Sequence, residues 1–500
     1  MKKIEENIKI HDKFQLEIKY VYPFDRNLPT TEYTVEHFFF IPSNLGINES
    51  NYSKNQFYGD GQKYIRLKTP VFTLHSMTSG ENNPLDKLRE TLNDLPKDPE
   101  NSKINRHYKY HLKMFCSIFK SSIRDEEIFI EHRLNSEDQK AAAEKVVNDI
   151  REAIDKFRAL RPLVHLPHIT RKQIALFDFA DEYMSILIGK RILKLLAFLK
   201  KQKSHKFSEI NTVLLALAIA EKDYRIKQNY PSIAEDGKSN ETIVYRGRIL
   251  KKIMGNILFL DTNVKVEGRL REQISMGFAA GLAMALATTF IFLSQHFFQG
   301  FTVSLIAILT IIYVFKDRIK EITKNLMVKI LRKYIYDYKT ILRTSFNKKI
   351  GICRELFSFV TENKVPYMVN RIRNKDYIVE LENGYTPEEI ICYKKHIRIY
   401  SGKCQQLLKD FKVDGVIDIF RFNVRHFLYK MDNPNKDIYI PDGDDDLKKI
   451  NGKCYYHLNL ILKYGNFKKE PFYHKFRIIL SRDGIVRIEK VACDLTQIAP

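Results

Sequence analysis

A few groups of residues in this chain have types and spacings that invite chemistry. His165-Leu166-Pro167-His168 offers two imidazoles, and His107 and His111 stand four apart, which places them on one face of a helix. Two imidazoles without a companion carboxylate or thiolate make a poor metal site. H-E-x-x-H is missing, and Arg106, Lys109 and Lys113 around the second pair would repel a cation. Asp442-Gly443-Asp444-Asp445-Asp446 concentrates carboxylates, but its glycine comes too early for an EF-hand and no closing glutamate follows at the required place. Arg421, Arg425, His426, Tyr456 and His457 fall in or beside expected strands, where they line either a polar pocket or a solvent face. The sequence carries no phosphate-cradling glycine loop, dinucleotide fingerprint, nucleophile elbow or kinase signature. It therefore assigns no catalytic residue, no cofactor and no metal ligand, and leans away from an enzyme.

The clearest signal is physical. Two charge-free apolar stretches, Ile274–Ser294 and Phe297–Phe315, lie back to back with an expected turn at Gln295-His296. Each has about the length a helix needs to cross a hydrocarbon core of about 30 Å. The segment Lys316–Lys349 holds eleven Lys/Arg against three Asp/Glu, Arg246–Gln273 holds seven against three, and the turn has none. By the positive-inside rule this predicts a two-pass protein of an inner or plasma membrane, with both soluble portions cytoplasmic and the turn outside. Met1–Glu6 has basic residues with no apolar run behind them, so a cleavable signal is not expected. The six cysteines are scattered and form no C-x-x-C, as expected of free thiols in a reducing compartment.

Within the first stretch, Gly277-x-x-x-Gly281 continued by Ala285 forms one small-residue face, and Ala279, Ala283 and Ala287 form a neighbouring one. Small faces let helix backbones approach closely in lipid. Two uses stand side by side: assembly of several copies, or packing of the first span on the second. The only polar residues inside the stretches are hydroxyls and Gln299, which disfavours an ion path through a single copy. Lys316, Arg318, Lys320 and Lys324 are expected at the membrane surface. There each basic residue gains about 1 kcal/mol from anionic headgroups. The bilayer thus absorbs much of the net charge of +23. With no recognisable reader motif, a nucleic-acid partner is disfavoured.

Periodicity supplies the frame that must position these residues. Residues 1–80 are expected as a β-rich unit, with strands at Lys13–Pro23, Tyr33–Pro42 and Gln62–Leu74. Residues 81–107, broken by Pro84, Pro96 and Pro99, are expected as a linker with one short helix at Leu85–Leu92. Helical spacing dominates 108–273, and Val213–Ala220 is expected as bundle core. A basic helix is expected over 316–350, its stripe of Ile319, Ile322 and Leu326 packing on the protein's own helices. The last portion, 351–500, is expected to be β-rich and sandwich-like from about 388, with a hairpin at Asp483-Gly484.

The expected fold is thus an α+β membrane protein: a transmembrane hairpin and a helical middle between two β-rich ends. The expected function is a membrane-tethered scaffold or sensor whose soluble portions bind a protein partner or ligand and whose spans assemble copies. The alternatives are an oligomeric pore-forming effector and an enzyme without a compact motif.

Overall fold

The computed structural model describes residues 4–492 except 26, 81, 134–135, 203–206, 298–302, 333–334, 375–387, 443–445 and 467–469. The chain is α+β, with β-rich ends and a helical middle. It opens with β1 (Glu5–Asp12), β2 (Gln15–Pro23), β3 (Thr31–Pro42), α1 (Lys54–Asp60) and β4 (Gly61–Leu67). Helices α2 (Pro84–Asp94), α3 (Ser102–Glu131), α4 (Ser136–Arg158), α5 (Arg161–Val164), α6 (Arg171–Lys201), α7 (Ser208–Lys227) and α8 (Glu241–Gly255) follow. Next come β5 (Asp261–Val266), α9 (Arg269–Phe297), α10 (Val303–Arg332), β6 (Tyr338–Arg343), β7 (Lys349–Val360), α11 (Tyr367–Arg373), β8 (Glu388–Ile399), α12 (Ser401–Leu407), β9 (Gly415–Asn423) and α13 (Arg425–Leu428). The chain closes with β10 (Asn435–Pro441), β11 (Leu447–Lys453), β12 (Tyr456–Asn466), β13 (Phe472–Ser481) and β14 (Gly484–Val491).

The two β-rich ends are one structure. A four-stranded sheet runs β1-β2-β9-β4 and an eight-stranded sheet runs β14-β13-β12-β3-β8-β7-β6-β5. Strands β2 and β4 both pair with β9, and β3 lies between β8 and β12, all antiparallel. The β-rich character expected over 1–80 is present, and its strands β2, β3 and β4 pair with strands of the C-terminal portion. Both faces of β2 are largely buried, so this strand needs a neighbouring strand and a facing layer that the first 80 residues cannot supply. The two sheets face each other through aromatic contacts, with Tyr22 stacked on Tyr33, and Phe39 tilted against Phe422 and Tyr393 against Phe420. They are stitched at both margins: Ile485 N donates to Lys13 O (2.8 Å), and Leu260 N donates to Ile65 O (2.9 Å). The β13–β14 hairpin turns at Gly484, whose φ of +140° favours glycine.

Several boundaries differ from the sequence expectation. The 81–107 segment is mostly ordered helix: the Asn83 side chain caps α2 by accepting from Asp86 N, and Leu85, Leu88 and Leu92 enter the core. The third strand ends at Leu67 rather than Leu74. Strands β5, β6 and β7 occupy positions expected to be helical or unassigned, so the basic helix over 316–350 stops at Arg332. In α7 only one side of Val213–Ala220 is core: Leu214, Leu217 and Ala218 are buried while Leu215 and Ile219 face out. Five cysteines are free thiols, and Cys493 lies outside the described residues.

Candidate functional site at the base of a helix hairpin

Helices α9 and α10 lie against each other and rise from adjacent strands β5 and β6. The first leg runs unbroken through Gln295-His296 to Phe297 and the second begins at Val303, which corrects the position expected for the turn. Over Met276–Ser294 the mean hydropathy is 1.9, yet only 17% of that window is buried. It is the one described helix long and apolar enough to cross a membrane. The charge-free part of α10, Val303–Phe315, extends about 20 Å as helix.

The two small-residue faces of α9 have different fates. Ala279, Ala283 and Ala287 are buried, whereas Gly277, Gly281 and Ala285 are exposed. A methyl group added at Gly277 or Gly281 would meet nothing within 4 Å. The alanine face is therefore covered within one copy and the glycine face is left open. The hydroxyls of Thr288, Thr289 and Thr310 donate to the carbonyls of Met284, Ala285 and Ile306 in their own helices. Beyond the apolar part, Lys316 sits over the Tyr313 ring, 3.7 Å from its centroid, and Arg318 pairs loosely with Glu321 at 3.6 Å. Lys320 and Lys324 are exposed. Ile322 and Leu326 are also exposed, which corrects the expectation that their stripe packs on the protein's own helices.

The legs meet in a built junction. Glu267 N, just before α9, donates to Asp337 O (3.0 Å), just after α10, and Asp337 N donates to Glu355 O (2.7 Å). The Asp337 carboxylate accepts from Lys54 Nζ (2.8 Å), Tyr58 Oη (3.0 Å) and Phe357 N (2.8 Å). Gly268 has φ of +94°, and an added Cβ would stand 2.4 Å from Ile335 Cγ2, so only glycine fits this corner.

From that junction a run of polar side chains enters the space between the sheets. The Lys63 ammonium lies 4.5 Å from the Tyr58 ring centroid and donates to Glu355 (2.7 Å). Glu355 also accepts from the Tyr393 hydroxyl. Lys395, two residues along the same strand, donates to Asp418 Oδ2 (2.6 Å), and Tyr22 Oη lies 3.4 Å from that oxygen. Glu355, Lys395 and Asp418 are each at most 2% exposed. Burial alone would raise the Glu355 carboxyl. The charges of Lys63 and Lys395, with hydrogen bonds from Lys63 and Tyr393, outweigh it and hold the group below its usual range. Burial likewise works against the Lys395 ammonium, and the Asp418 and Glu355 charges hold its pKa above the usual lysine range. Asp418 Oδ1 is buried with no hydrogen-bond partner among the described residues.

Beside this cluster His37 Nδ1 donates to Tyr393 O (3.2 Å), and its Nε2 lies 3.0 Å from Tyr20 Oη. Burial first, then the Lys395 charge, push its pKa down to about 3.

None of this cluster was read from the sequence, because its members come from distant strands and no local spacing joins them. The residues singled out there mostly hold the fold together. His111 Nδ1 hydrogen-bonds Thr91 (2.6 Å) and its Nε2 lies 3.8 Å from Asp410. Arg421 pairs with Glu17 (2.7 Å), and His426 pairs with Asp60 (2.8 Å). Most of the Asp442–Asp446 loop lies outside the described residues. Among those described, His75, Asp149 and Glu152 bring donor atoms within 4.8 Å of one another, a grouping sequence spacing could not reveal. Lys156 already holds the Glu152 carboxylate.

Comparison with protein-family models, with curated proteins and with solved structures finds no match to this chain.

Proposed function

We propose that the chain is a membrane-tethered scaffold or sensor. In this reading α9 and α10 anchor it in an inner or plasma membrane, and the sandwich and helical region stand in the cytoplasm and engage a protein partner or ligand. The observation that carries the reading is the exposure of α9: a long apolar helix with most of its surface open. In water that surface costs about 25 cal/mol per Å²; in hydrocarbon it costs nothing. Basic residues beyond both outer ends of the hairpin support the orientation. The Asp337 junction supports coupling, since it ties both legs to the polar cluster between the sheets.

Membrane fractionation with alkaline carbonate extraction tests the anchor, and retention in the pellet is expected. A Gln299→Cys variant should react from outside intact cells with an impermeant maleimide. Release by carbonate would sink the reading. Native mass spectrometry of the gently extracted protein should then show a stoichiometric partner or ligand.

The open Gly277/Gly281/Ala285 face supports a second reading, in which copies gather through it into a pore. Induced expression should then collapse membrane potential, and Gly281→Leu should prevent it. An unchanged potential under every trigger would remove this reading.

A further inference from the structure

At one margin of the sandwich, the β1–β2 turn, α13 and the β13–β14 turn border an open cavity of about 380 Å³ lined by Phe14, Arg425, Leu428, Tyr429 and Arg482. The Arg425 guanidinium lies over the Phe14 ring, 4.7 Å from its centroid. Arg482 Nη1 donates to Asn433 Oδ1 (2.7 Å), a neutral partner. Among the described residues neither guanidinium has a carboxylate at ion-pair distance. Several arginines elsewhere in the sandwich are paired with carboxylates, Arg421 with Glu17, Arg373 with Glu388, Arg398 with Glu32 and Arg354 with Glu267, whereas Arg66 and Arg343 donate singly to the neutral oxygens of Thr69 and Asn347; Arg425 and Arg482 differ from these in sharing one cavity. A further cation, Lys13 Nζ, stands 5.5 Å from the Phe14 ring.

Two uncompensated guanidinium groups on one concavity call for an anion. A carboxylate has two oxygens and satisfies one bidentate arginine; a phosphate monoester has three non-bridging oxygens and up to two charges, enough for both. The cavity is of a size that takes a whole small molecule rather than a bare ion. Phe14 and Leu428 make part of its wall apolar. We propose that this cavity binds an organic phosphate monoester. The phosphate sits between Arg425 and Arg482 with the Tyr429 hydroxyl as a further donor, and the organic part lies against Phe14 and Leu428. This gives the sensor reading a ligand class, yet it does not depend on where the hairpin resides.

The test is calorimetry on the full-length protein with phenyl phosphate, with benzoate and inorganic phosphate as comparisons. Phenyl phosphate should bind at least about tenfold more tightly than either, and Arg425→Gln and Arg482→Gln should each weaken it about tenfold. Both side chains are exposed, so thermal unfolding should be unchanged in the variants. Absence of phenyl phosphate binding, or binding that survives both substitutions, would overturn the proposal. Vesicles of phosphatidylcholine with added phosphatidic acid identify the source. Competition with phenyl phosphate assigns a lipid headgroup, and lack of competition assigns a soluble ester. Failure here leaves the carbonate result standing, and release by carbonate leaves this chemistry standing.

Discussion

The sandwich interior and the hairpin are opposites in what they bury. Between the sheets, Lys395, Asp418 and Glu355 are removed from water, each with a charged or hydrogen-bonding partner. On α9 the helix carries no charge from Ile274 to Ser294, and apolar side chains such as Phe278, Phe290 and Phe292 point outward. The contrast teaches where each region's stability comes from. A buried charge is tolerable only while its partner stays, because desolvation costs several kcal/mol per ion. An exposed apolar helix is tolerable only where the surroundings are themselves apolar, and there helix packing rests on close backbone approach. The first region depends on partners inside the chain, the second on its solvent.

The sharpest way to break that comparison is to remove one member of the buried pair. Lys395→Met leaves the buried Asp418 carboxylate without its cation, and urea unfolding should show a loss of about 3–5 kcal/mol. Lys395→Met with Asp418→Leu should recover most of it. A silent single variant would mean the pair is not buried as described.

Acid is a second large perturbation, and it should act through the sandwich and the helical region rather than through the hairpin. Burial holds His37 at about 3 and His111 at about 4, below the ordinary 6.5. As pH falls below 6.5 the unfolded chain takes up protons that the folded chain refuses. Stability is therefore full above that value. It falls by about 1.4 kcal/mol per pH unit per histidine, down to about pH 4 for His111 and about pH 3 for His37. Glu355, held low, adds to the loss only further down. Thermal unfolding across pH 7 to 4 should show this slope, and His111→Gln should reduce it.

Within the hairpin the two faces of α9 should respond differently. Ala283→Leu overpacks a covered position and should cost the hairpin about 1–3 kcal/mol, read as faster proteolysis across α9 and α10. Gly281→Leu should leave a single copy unaffected, since nothing lies near it. Equal effects would erase the distinction between the faces. The smallest expected effect is at the surface: Lys320→Gln and Lys324→Gln should each weaken binding to anionic vesicles by about 1 kcal/mol, roughly fivefold. That loss should shrink in high salt.

The candidate site was legible only in its hairpin half. The charge-free stretch and its small-residue spacing are local, so a window of consecutive residues reveals them. Strands such as those expected at Lys13–Pro23 and Tyr33–Pro42 were readable from their residue pattern for the same reason. Strands β5, β6 and β7 were not: β5 is a short, polar edge strand, and the basic run after α10 keeps helical spacing past the point where β6 begins. Asp337, the junction of the two halves, carries no local sign of its role.

By itself, then, the amino-acid order determined the apolar hairpin, its basic flanks, the α+β division and many strand positions, because each depends on contacts or solvent preferences within a few turns of chain. The tertiary structure alone decided that β2, β3 and β4 share sheets with strands from the other end of the chain, which face of α9 stays open, and that Lys395 meets Asp418 while Lys63 meets Glu355. These are pairings between residues far apart in the chain, set by strand register and sheet stacking, and a one-residue change of register would have turned each of those side chains to the opposite face.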